Sequence, residues 1–341
     1  MKKNLMTLGV LALFVLMAYG QEKKFALYSV AFYNMENLFD TIHDEGKNDY
    51  EYLPNGTNQW NTMKYKAKLK NMSEILSLLS TDKLPMGPAI IGVSEIENYR
   101  VLEDILKQPA LADRGYQYVH YEGEDQRGVD CAFFYNPKLF ELTNSKLVPY
   151  VYINDTIHKT RGFLIASGNI AGEKMHFIVN HWPSRAAASP ARERAGEQVR
   201  AIKDSLLRED SAAKIVIMGD MNDDPMDKSM AVALGAKRKP ADVGPTDLYN
   251  PWWDTLKKGY GTLMYKGKWN LFDQIVFTGN LLGTDRSTLK FYKHEIFRRD
   301  FMFQKEGKYK GYPKRTQAGG VWLNGCLLYT SPSPRDISGS R

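Results

Sequence analysis

Residues 215–222 read Ile-Val-Ile-Met-Gly-Asp-Met-Asn, so that four apolar residues run directly into a polar turn. The apolar part, Ile215–Met218, is short and rich in β-branched residues, which predicts a buried strand. Gly219, Asp220 and Asn222 are residue types that favour turns. A carboxylate and an amide at the end of a buried strand are also well placed for a site, because strand ends meet at the rim of a sheet.

Four other apolar segments end in the same way, with side chains that can bind a metal ion or move a proton. They read Tyr33-Asn34-Met35-Glu36-Asn37, Val93-Ser94-Glu95, Val179-Asn180-His181 and Leu271-Phe272-Asp273-Gln274. One such ending would carry little information, since polar residues commonly follow strands. Five of them indicate that the strand ends converge on one rim and build one site there.

The pattern of apolar residues predicts an α/β protein in a single domain, because strands alternate with helices and no linker interrupts the chain. Half-exposed aromatic segments near residues 116–121 and 146–153 favour two packed mixed sheets with outer helices over a purely parallel sheet. The strands are predicted at Ala26–Tyr33, Ala89–Val93, Cys131–Tyr135, His176–Val179, Ile215–Met218 and Phe272–Phe277.

Two segments predict helices. Leu69, Met72, Leu76 and Leu79 recur at helical spacing after Asn61-Thr62, as do Ala195, Val199, Ile202 and Leu206 after Ser189-Pro190. Ser189 suits the N-cap and Pro190 the first turn. Residues 249–269 are rich in Gly, Trp and Tyr and predict a long loop beside the site, in which the aromatic rings either stack on bases or a sugar, or pack the loop itself.

The N-terminus predicts export. Lys2 and Lys3 precede a short apolar run, and small residues follow it, which is typical of a secretory signal peptide over residues 1–20. The run is too short for a membrane span, so we expect no transmembrane segment after cleavage and a periplasmic or extracellular location. The two cysteines, Cys131 and Cys326, provide no disulfide framework.

The charge of the chain is only mildly basic. The formal net charge is +7, and residues 21–325 contain 42 basic and 38 acidic side chains. This excess suits an anionic substrate, but many proteins without such a substrate have it too, so it is weak evidence for nucleic acid.

The residue types at the five strand ends suit hydrolysis of a phosphoester, which needs a cation, a base for water and donors for the phosphate oxygens. Glu95 and Glu36 offer the hard oxygen ligands that Mg²⁺ prefers. Asp220 can orient or deprotonate the attacking water, and Asn34 and Asn222 can donate to phosphate oxygens. His181 can donate to the phosphate or protonate the leaving group, because histidine is the side chain whose ordinary pKa lies near neutrality.

Each of these assignments has a structural alternative. His181 could pack beside Trp182, Glu95 could cap a helix near Asn98, and Gly219–Asn222 could be a simple turn. Glu97 and Asp40 are nearby alternatives to Glu36 as the second acidic ligand.

Together these segments resemble the endonuclease/exonuclease/phosphatase superfamily, deoxyribonuclease-like members above all, from Val30 to about Gly325. The resemblance implies a four-layer α/β/β/α sandwich: two mixed β-sheets packed face to face with flanking helices. It also implies Mg²⁺ (or Mn²⁺/Ca²⁺), with Glu95 and Glu36 as metal ligands and a phosphoester substrate that includes DNA or RNA among its candidates. The residues that it makes catalytic or phosphate-binding are His181, Asp220, Asn222, Asn34, Asp273, Arg127 and Arg185.

The C-terminus departs from the family pattern. Members end with a Ser-Asp-His segment, whose histidine the aspartate at Asp273 would orient, whereas residues 326–341 contain no histidine and include Ser-Pro-Ser-Pro. Because proline is excluded from central strands, we expect a family domain over residues 21–325 and a non-native or disordered tail over 326–341.

Two kinds of function therefore remain open at this stage. The first is a metal-dependent phosphodiesterase or endonuclease that acts as a monomer without an obligate protein partner. The alternative is a catalytically impaired member that binds phosphorylated ligands, or a phosphodiesterase for small molecules or lipids.

Overall fold

The computed structural model describes residues 25–153, 155, 157–314, 317–318, 321–322 and 337–340. The predicted signal peptide and most of the predicted tail lie outside the described residues, so both stay predictions. None of the helices within the described ranges is long and apolar enough to cross a membrane.

The described residues form eighteen strands and four α-helices. The strands are β1 (Phe25–Tyr28), β2 (Val30–Leu38), β3 (Ile90–Ile96), β4 (Gln117–His120), β5 (Asp130–Tyr135), β6 (Glu141–Val148), β7 (Phe163–Ile170), β8 (Glu173–His181), β9 (Lys214–Asp220), β10 (Ala236–Lys237), β11 (Leu248–Tyr249), β12 (Leu263–Tyr265), β13 (Lys268–Asn270), β14 (Asp273–Thr278), β15 (Lys290–Phe291), β16 (Gln317–Ala318), β17 (Val321–Trp322) and β18 (Ile337–Ser340).

The α-helices are α1 (Thr62–Ser77), α2 (Tyr99–Leu106), α3 (Ser189–Glu209) and α4 (Trp252–Lys257). Short 3₁₀-helices and one π-helical turn connect some of the longer elements. They are Tyr50–Tyr52, Ala112–Arg114, Pro240–Asp242, Gly279–Leu281 and Asp300–Met302, and the π-helical Ser229–Ala233.

Two mixed sheets form the centre of the molecule. The first has the strand order β2-β3-β5-β4, and the second has the order β10-β11-β14-β9-β8-β7-β6. β2 and β3 are parallel, as are β8 and β9, whereas β3 with β5 and β9 with β14 are antiparallel.

The inner faces of the two sheets pack against each other and bury one apolar core. Phe32 and Phe133 of the first sheet belong to the same buried cluster as Phe177, Val179 and Met218 of the second. This arrangement follows from strands that are apolar on both faces, since each sheet must then be covered on both sides.

The outer faces of the sheets are covered by helices. Leu69 and Met72 of α1 and Val101 of α2 pack on the first sheet, and Ala195 and Val199 of α3 pack on the second. The four-layer α/β/β/α sandwich is thereby confirmed, together with all six predicted strands and both predicted helices.

The structure differs from the predicted elements in three places. The strand predicted at Ala26–Tyr33 is divided at Ser29 into β1 and β2. The N-cap of α3 is Ala188, and the Ser189 hydroxyl lies one residue inside, where it donates to Glu193. The segment predicted as a loop over residues 249–269 contains α4 and most of the hairpin β12–β13. The hairpin forms because Lys266-Gly267 supplies a tight turn between its strands.

Two further small sheets involve the C-terminal part of the chain. The backbone of β18 pairs with β1 and with β15, and β16 pairs with β17.

Gly219 allows β8 and β9 to approach closely just before the polar turn. A Cβ atom built on Gly219 would lie 2.2 Å from the Asn180 carbonyl oxygen and 2.8 Å from its carbonyl carbon. Both atoms belong to backbone that is fixed in the parallel ladder, where Asn180 is the register partner of Gly219. Glycine is therefore the residue that lets Asp220 follow a paired strand without displacing it.

We expect Gly219→Ala to lower the free energy of unfolding by about 3 kcal/mol, because the added methyl group overpacks a rigid backbone contact. Gly172→Ala is the matched control: a Cβ there meets no atom within 4 Å, although φ is +80°, and its backbone strain should cost about 1 kcal/mol. Urea denaturation of both variants measures the difference, and an equal loss in the two would contradict the close-approach argument.

Candidate active site

The Asn34 side chain links two carboxylates that come from different sheets. Its amide Nδ2 donates to Glu95 Oε1 and to Asp220 Oδ2, each at 3.0 Å. Asn34 and Glu95 lie on β2 and β3 of the first sheet, whereas Asp220 ends β9 of the second. The two strand ends therefore meet through one amide, which uses both of its N–H groups on acidic oxygens.

His181 completes this cluster from the neighbouring strand. It is the register partner of Asp220 in the β8–β9 ladder, and its Nε2 lies 3.7 Å from Glu95 Oε1. One potential ligand atom from each of Glu95, His181 and Asp220 lies within 4.8 Å of the others. The predicted convergence of the strand ends is thus observed for Asn34, Glu95, His181 and Asp220.

A bulge turns Glu95 towards the centre of the site. Between Asn34 and Leu38, three residues of β2 stand opposite Glu95 alone on β3, and the β3–β5 register shifts at Glu95 as well. Bulges of this kind re-aim side chains near strand ends.

Four residues at this rim have left-handed backbone conformations that non-glycine residues rarely adopt. Their φ angles are 45° for Glu36, 55° for Asn37, 59° for Glu95 and 52° for Asn222. Each such residue costs roughly 1–3 kcal/mol, and the surrounding contacts must hold it in place. Strain of this kind concentrates at functional sites.

Hydrogen bonds hold the strained segment of β2. The Glu36 N–H donates to Asn34 Oδ1 at 2.7 Å, and the Asn37 N–H donates to Glu95 Oε2 at 3.0 Å. Lys68 of α1 donates to the carbonyl oxygens of Glu36 and Asn37, the latter at 2.8 Å. The turn and the orientation of the Glu95 carboxylate therefore depend on each other.

Lys68 is a contact that the sequence reasoning missed. The side chain is buried on the apolar face of α1, and burial lowers the pKa of its ammonium group to about 8. A signal was present, because position 68 follows Tyr65 and precedes Met72 on the buried stripe, where a lysine needs a specific partner.

The turn after β9 fixes the Asp220 carboxylate. The Asn222 N–H donates to Asp220 Oδ1 at 2.9 Å, and the Asn222 amide donates to the Trp182 carbonyl oxygen at 3.0 Å. The Trp182 N–H in turn donates to the Asp220 carbonyl oxygen at 2.9 Å. Residues 181–182 and 220–222 are consequently one hydrogen-bonded unit.

Burial shifts the pKa values of the two titratable groups in this unit. Desolvation, followed by the nearby negative charge of Glu95, raises the pKa of Asp220 to about 6. Desolvation, followed by the positive charges of Arg161 and Arg127, lowers the pKa of His181 well below its usual value. The centre thus disfavours additional negative charge on Asp220 and positive charge on His181.

Arg161 is the second contact that the sequence reasoning missed. It is buried, and its guanidinium donates to the Trp182 carbonyl oxygen at 2.8 Å and to Asp125 Oδ2 at 3.1 Å. Its Nε has no hydrogen-bond partner among the described residues. The sequence around Arg161, just before β7, contains no pattern that distinguishes a buried arginine from one on the surface.

Arg127 lies at the outer side of the same network. Its side chain is half exposed, and Nε donates to Asp125 Oδ1 at 3.3 Å, so that Asp125 is shared with Arg161. Part of the Arg127 guanidinium therefore faces solvent, and its positive charge helps to lower the pKa of His181. The predicted role of Arg127 in phosphate binding stays a prediction.

Arg185 binds the turn that follows Asp220. Its guanidinium lies 3.3 Å from Asp223 Oδ1 and 2.8 Å from Asp227 Oδ2, and its Nε donates to the Asn222 carbonyl oxygen at 3.0 Å. These contacts hold the turn, and the predicted role in phosphate binding stays a prediction.

Asp273 starts β14 as the register partner of Asp220 and is buried. It therefore lies next to the centre, where the resemblance places it. The family pattern would pair it with a histidine from the C-terminal stretch, but residues 326–341 contain none.

The alternative acids near Glu36 have other partners. The Asp40 N–H donates to Glu97 Oε2 at 2.7 Å, and Arg100 Nε lies 2.6 Å from Asp40 Oδ2. Asn98, rather than Glu95, caps α2 by accepting from Arg100 and Val101 N–H groups.

The cluster of Glu95, Asp220 and His181 fits a divalent cation. The carboxylate of buried Asp220 lies beside that of partly buried Glu95, which is unfavourable unless a positive charge compensates them. His181 Nδ1 is buried and has no hydrogen-bond partner in the described part of the chain. The two carboxylates are the kind of oxygen ligand that Mg²⁺ and Mn²⁺ prefer.

Several solved structures have the same fold. ANGEL2, described as a 2′,3′-cyclic phosphatase, matches with a TM-score of 0.60 and 11% identity over 92% of this chain and 95% of its own. TDP2 from D. rerio, complexed with single-strand DNA product, matches with 0.52 and 13% identity over 92% and 98%. The human Nocturnin catalytic domain with bound sulfate matches with 0.52 and 14% identity over 94% and 96%.

The sequence profile of the endonuclease/exonuclease/phosphatase family matches residues 29–329. No curated protein sequence matches the chain. The profile covers both sheets and every strand end that contributes to the cluster around Asn34. The chain is therefore a member of the endonuclease/exonuclease/phosphatase family.

Proposed function

We propose that this chain is an exported, divalent-metal-dependent phosphodiesterase that cleaves DNA, RNA or another phosphodiester. The observation that carries the proposal is the Asn34 amide, which holds Glu95 and Asp220 together beside His181. Export is supported by the basic and apolar N-terminal sequence up to Gly20, and N-terminal sequencing of the secreted protein tests it.

Glu95 and Glu36 would hold the metal ion, with Mg²⁺ the first candidate and Mn²⁺ or Ca²⁺ as alternatives. A bound divalent cation neutralises the nonbridging oxygens of the phosphate as negative charge develops on them. The bulge at Glu95 supports its part in this assignment, because it directs the carboxylate into the cluster with His181 and Asp220. Glu36 lies outside that cluster, and its role as second ligand rests on the family resemblance.

The other side chains have distinct roles in the proposed reaction. Asp220 orients the attacking water and takes its proton, since Asn34 and the Asn222 N–H fix both of its oxygens. Asn222 stabilises a phosphate oxygen with the amide N–H that Trp182 does not take. Asn34, predicted as a phosphate contact, instead positions the two carboxylates that its own N–H groups bind. His181 donates to the phosphate or to the leaving oxygen. Arg127 and Arg185 contact phosphates further along the substrate.

The solved relatives support a phosphate-bearing substrate. TDP2 holds a single-strand DNA product, Nocturnin holds a sulfate anion, and ANGEL2 is described as a cyclic phosphatase. These proteins differ in substrate although they share the fold, so the loops around the rim must select it.

A second candidate function is supported by the C-terminal sequence. Residues 326–341 contain no histidine, so the chain as given offers none there for Asp273. A member in this state would bind phosphorylated ligands, of nucleic-acid, lipid or small-molecule type, with little turnover.

Replacing residues 326–341 with a strand segment that begins Ser-Asp-His should raise turnover of bis(p-nitrophenyl) phosphate by about 10²–10⁴-fold, the usual contribution of a general acid or base. The control is the same replacement with alanine in place of the histidine. If turnover does not exceed that of this control, Asp273 and the added histidine have no part in the mechanism, and the ligand-binding candidate is favoured.

In this repaired chain, Asp220→Asn should lower metal-dependent turnover by at least about 10²-fold, because an amide cannot take the proton of water. Asp242→Asn, at an exposed position, is the charge-matched control. Thermal unfolding should show both variants folded, and turnover of Asp220→Asn within threefold of the parent would exclude Asp220 as the base.

Glu95→Gln should weaken Mn²⁺ binding by at least about tenfold, because a neutral amide oxygen replaces a charged ligand. Isothermal titration of the unrepaired full chain measures this without any requirement for turnover. Glu103→Gln is the control, since Glu103 lies on the surface in a pair with Lys107. Equal Mn²⁺ affinity in the two variants would place the metal elsewhere.

A further inference from the structure

Positive charge is concentrated in two segments beside the candidate active site. Residues 257–270 and 298–314 together contain ten Lys or Arg and two Asp or Glu, a net charge of +8. The whole chain of 341 residues has a net charge of +7, so the remainder is slightly acidic. The basic character of the protein therefore belongs to these two segments, which we call the basic-aromatic surface.

Aromatic side chains join the two segments through one arginine. The Arg298 guanidinium carbon lies 5.6 Å from the ring centre of Tyr260, 5.4 Å from that of Trp269 and 4.3 Å from that of Phe303. Trp269 and Phe303 also meet edge to face, with centroids 6.3 Å apart. Stacking of this kind orders both the rings and the guanidinium before any ligand arrives.

The hairpin tip touches the second segment as well. A Cβ atom built on Gly267 would lie 3.9 Å from the Tyr312 hydroxyl, and Tyr312 packs edge to face against Tyr309 at 5.5 Å. The surface is consequently continuous from Tyr260 to Tyr309.

The charges and rings of this surface are open to solvent. Tyr265 is 61% exposed and Tyr309 is 55% exposed. Lys266 lies over the Tyr265 ring at 5.3 Å. Within the described ranges, none of the ten basic side chains forms an ion pair with a carboxylate. Uncompensated like charges on one surface attract a polyanion.

The hairpin rises directly from the catalytic rim. The Thr262 hydroxyl accepts from the N–H groups of Phe272 and Asp273, each at 3.2 Å. Lys268 precedes Asp273 by five residues, which span at most about 18 Å when extended. A chain of phosphates that reaches the rim can therefore continue onto this surface.

We infer that the basic-aromatic surface binds a single-stranded polynucleotide and guides it to the active site. This inference rests on the proposed function, which it deepens by naming the substrate class. Lysines along the surface neutralise successive phosphates, and the exposed tyrosine faces stack on unpaired bases. The combination is the one by which single strands are bound without sequence preference.

Other polyanions use only part of the surface. A duplex presents phosphates to the lysines but keeps its bases stacked inside, so the rings of Tyr265 and Tyr309 would stay unused. An anionic membrane favours a tip that can insert apolar side chains, whereas the hairpin tip is Lys266-Gly267-Lys268.

The test is binding of fluorescein-labelled oligo(dT) of twelve nucleotides to the full chain in EDTA, followed by fluorescence anisotropy. Lys266→Gln combined with Lys268→Gln should weaken binding and reduce the slope of log K against log salt by about 1.4, since each neutralised phosphate contributes about 0.7 for single strands. Tyr265→Ala should weaken binding at least about fivefold, and Tyr265→Trp should retain it.

The matched control combines Lys83→Gln with Lys138→Gln. Both lysines are exposed and lie near the ends of β3 and β5 that are remote from Glu95. Binding in this control should equal that of the parent. Equal binding in the hairpin variants and the control would overturn the inference. So would stronger binding of a twelve-base-pair duplex or of phosphatidylserine vesicles than of oligo(dT).

The binding measurement is independent of catalysis. Bis(p-nitrophenyl) phosphate is too small to reach the hairpin, so its turnover by the repaired chain should be the same in the hairpin variants and the parent. Loss of oligo(dT) binding with retained turnover supports the surface, whereas absent turnover with intact binding refutes only the proposed function.

Discussion

The structure of the site depends on one amide group between two acids, buried Asp220 and partly buried Glu95. Asn34 Nδ2 donates to Glu95 and to Asp220, and these carboxylates belong to the two sheets whose inner faces pack through apolar side chains. Without a donor between them, the two negative charges would repel across a space that excludes water. The Asn34 amide therefore lets the two acids lie close together at this rim, and a cation is the natural complement to what repulsion remains.

The hydrogen bonds that orient the Glu95 carboxylate also hold the neighbouring backbone of Glu36 and Asn37 in a strained conformation. Glu36 and Asn37 keep left-handed conformations while Lys68 binds both carbonyl oxygens, and the Asn37 N–H binds Glu95. Lys68 has lost most of its hydration, which lowers the pKa of its ammonium group, so this geometry is a compromise between desolvation and hydrogen bonding. Strain at the rim is tolerable because the buried strands on either side fix the backbone before and after it.

The strands and the identity of the acidic cluster could be predicted because both depend on short-range pattern. A carboxylate at the end of a buried strand, such as Glu95 or Asp220, must lie at the edge of the sheet, because the sheet interior would leave its charge unsolvated. Lys68 and Arg161 escaped prediction because each donates to a backbone carbonyl oxygen, which has no sequence signature of its own. The position of Lys68 on the apolar stripe of α1 indicates a buried partner but does not identify it. The bulge at Glu95 escaped for a related reason: register is set by pairing between strands, and the residues of one strand do not specify it.

The distribution of charge separates attraction of a substrate from its reaction. The centre around Glu95 and Asp220 repels a phosphate, since two acids lie there and burial already raises the pKa of Asp220. The basic-aromatic surface attracts the same phosphate and lies beside the rim, where Thr262 ties the hairpin to Asp273. An anionic substrate can therefore be held by the surface while its scissile phosphate approaches acids that only a cation makes favourable. In the proposed function, discrimination between substrates then belongs to the hairpin, and the binding of a metal ion belongs to the rim.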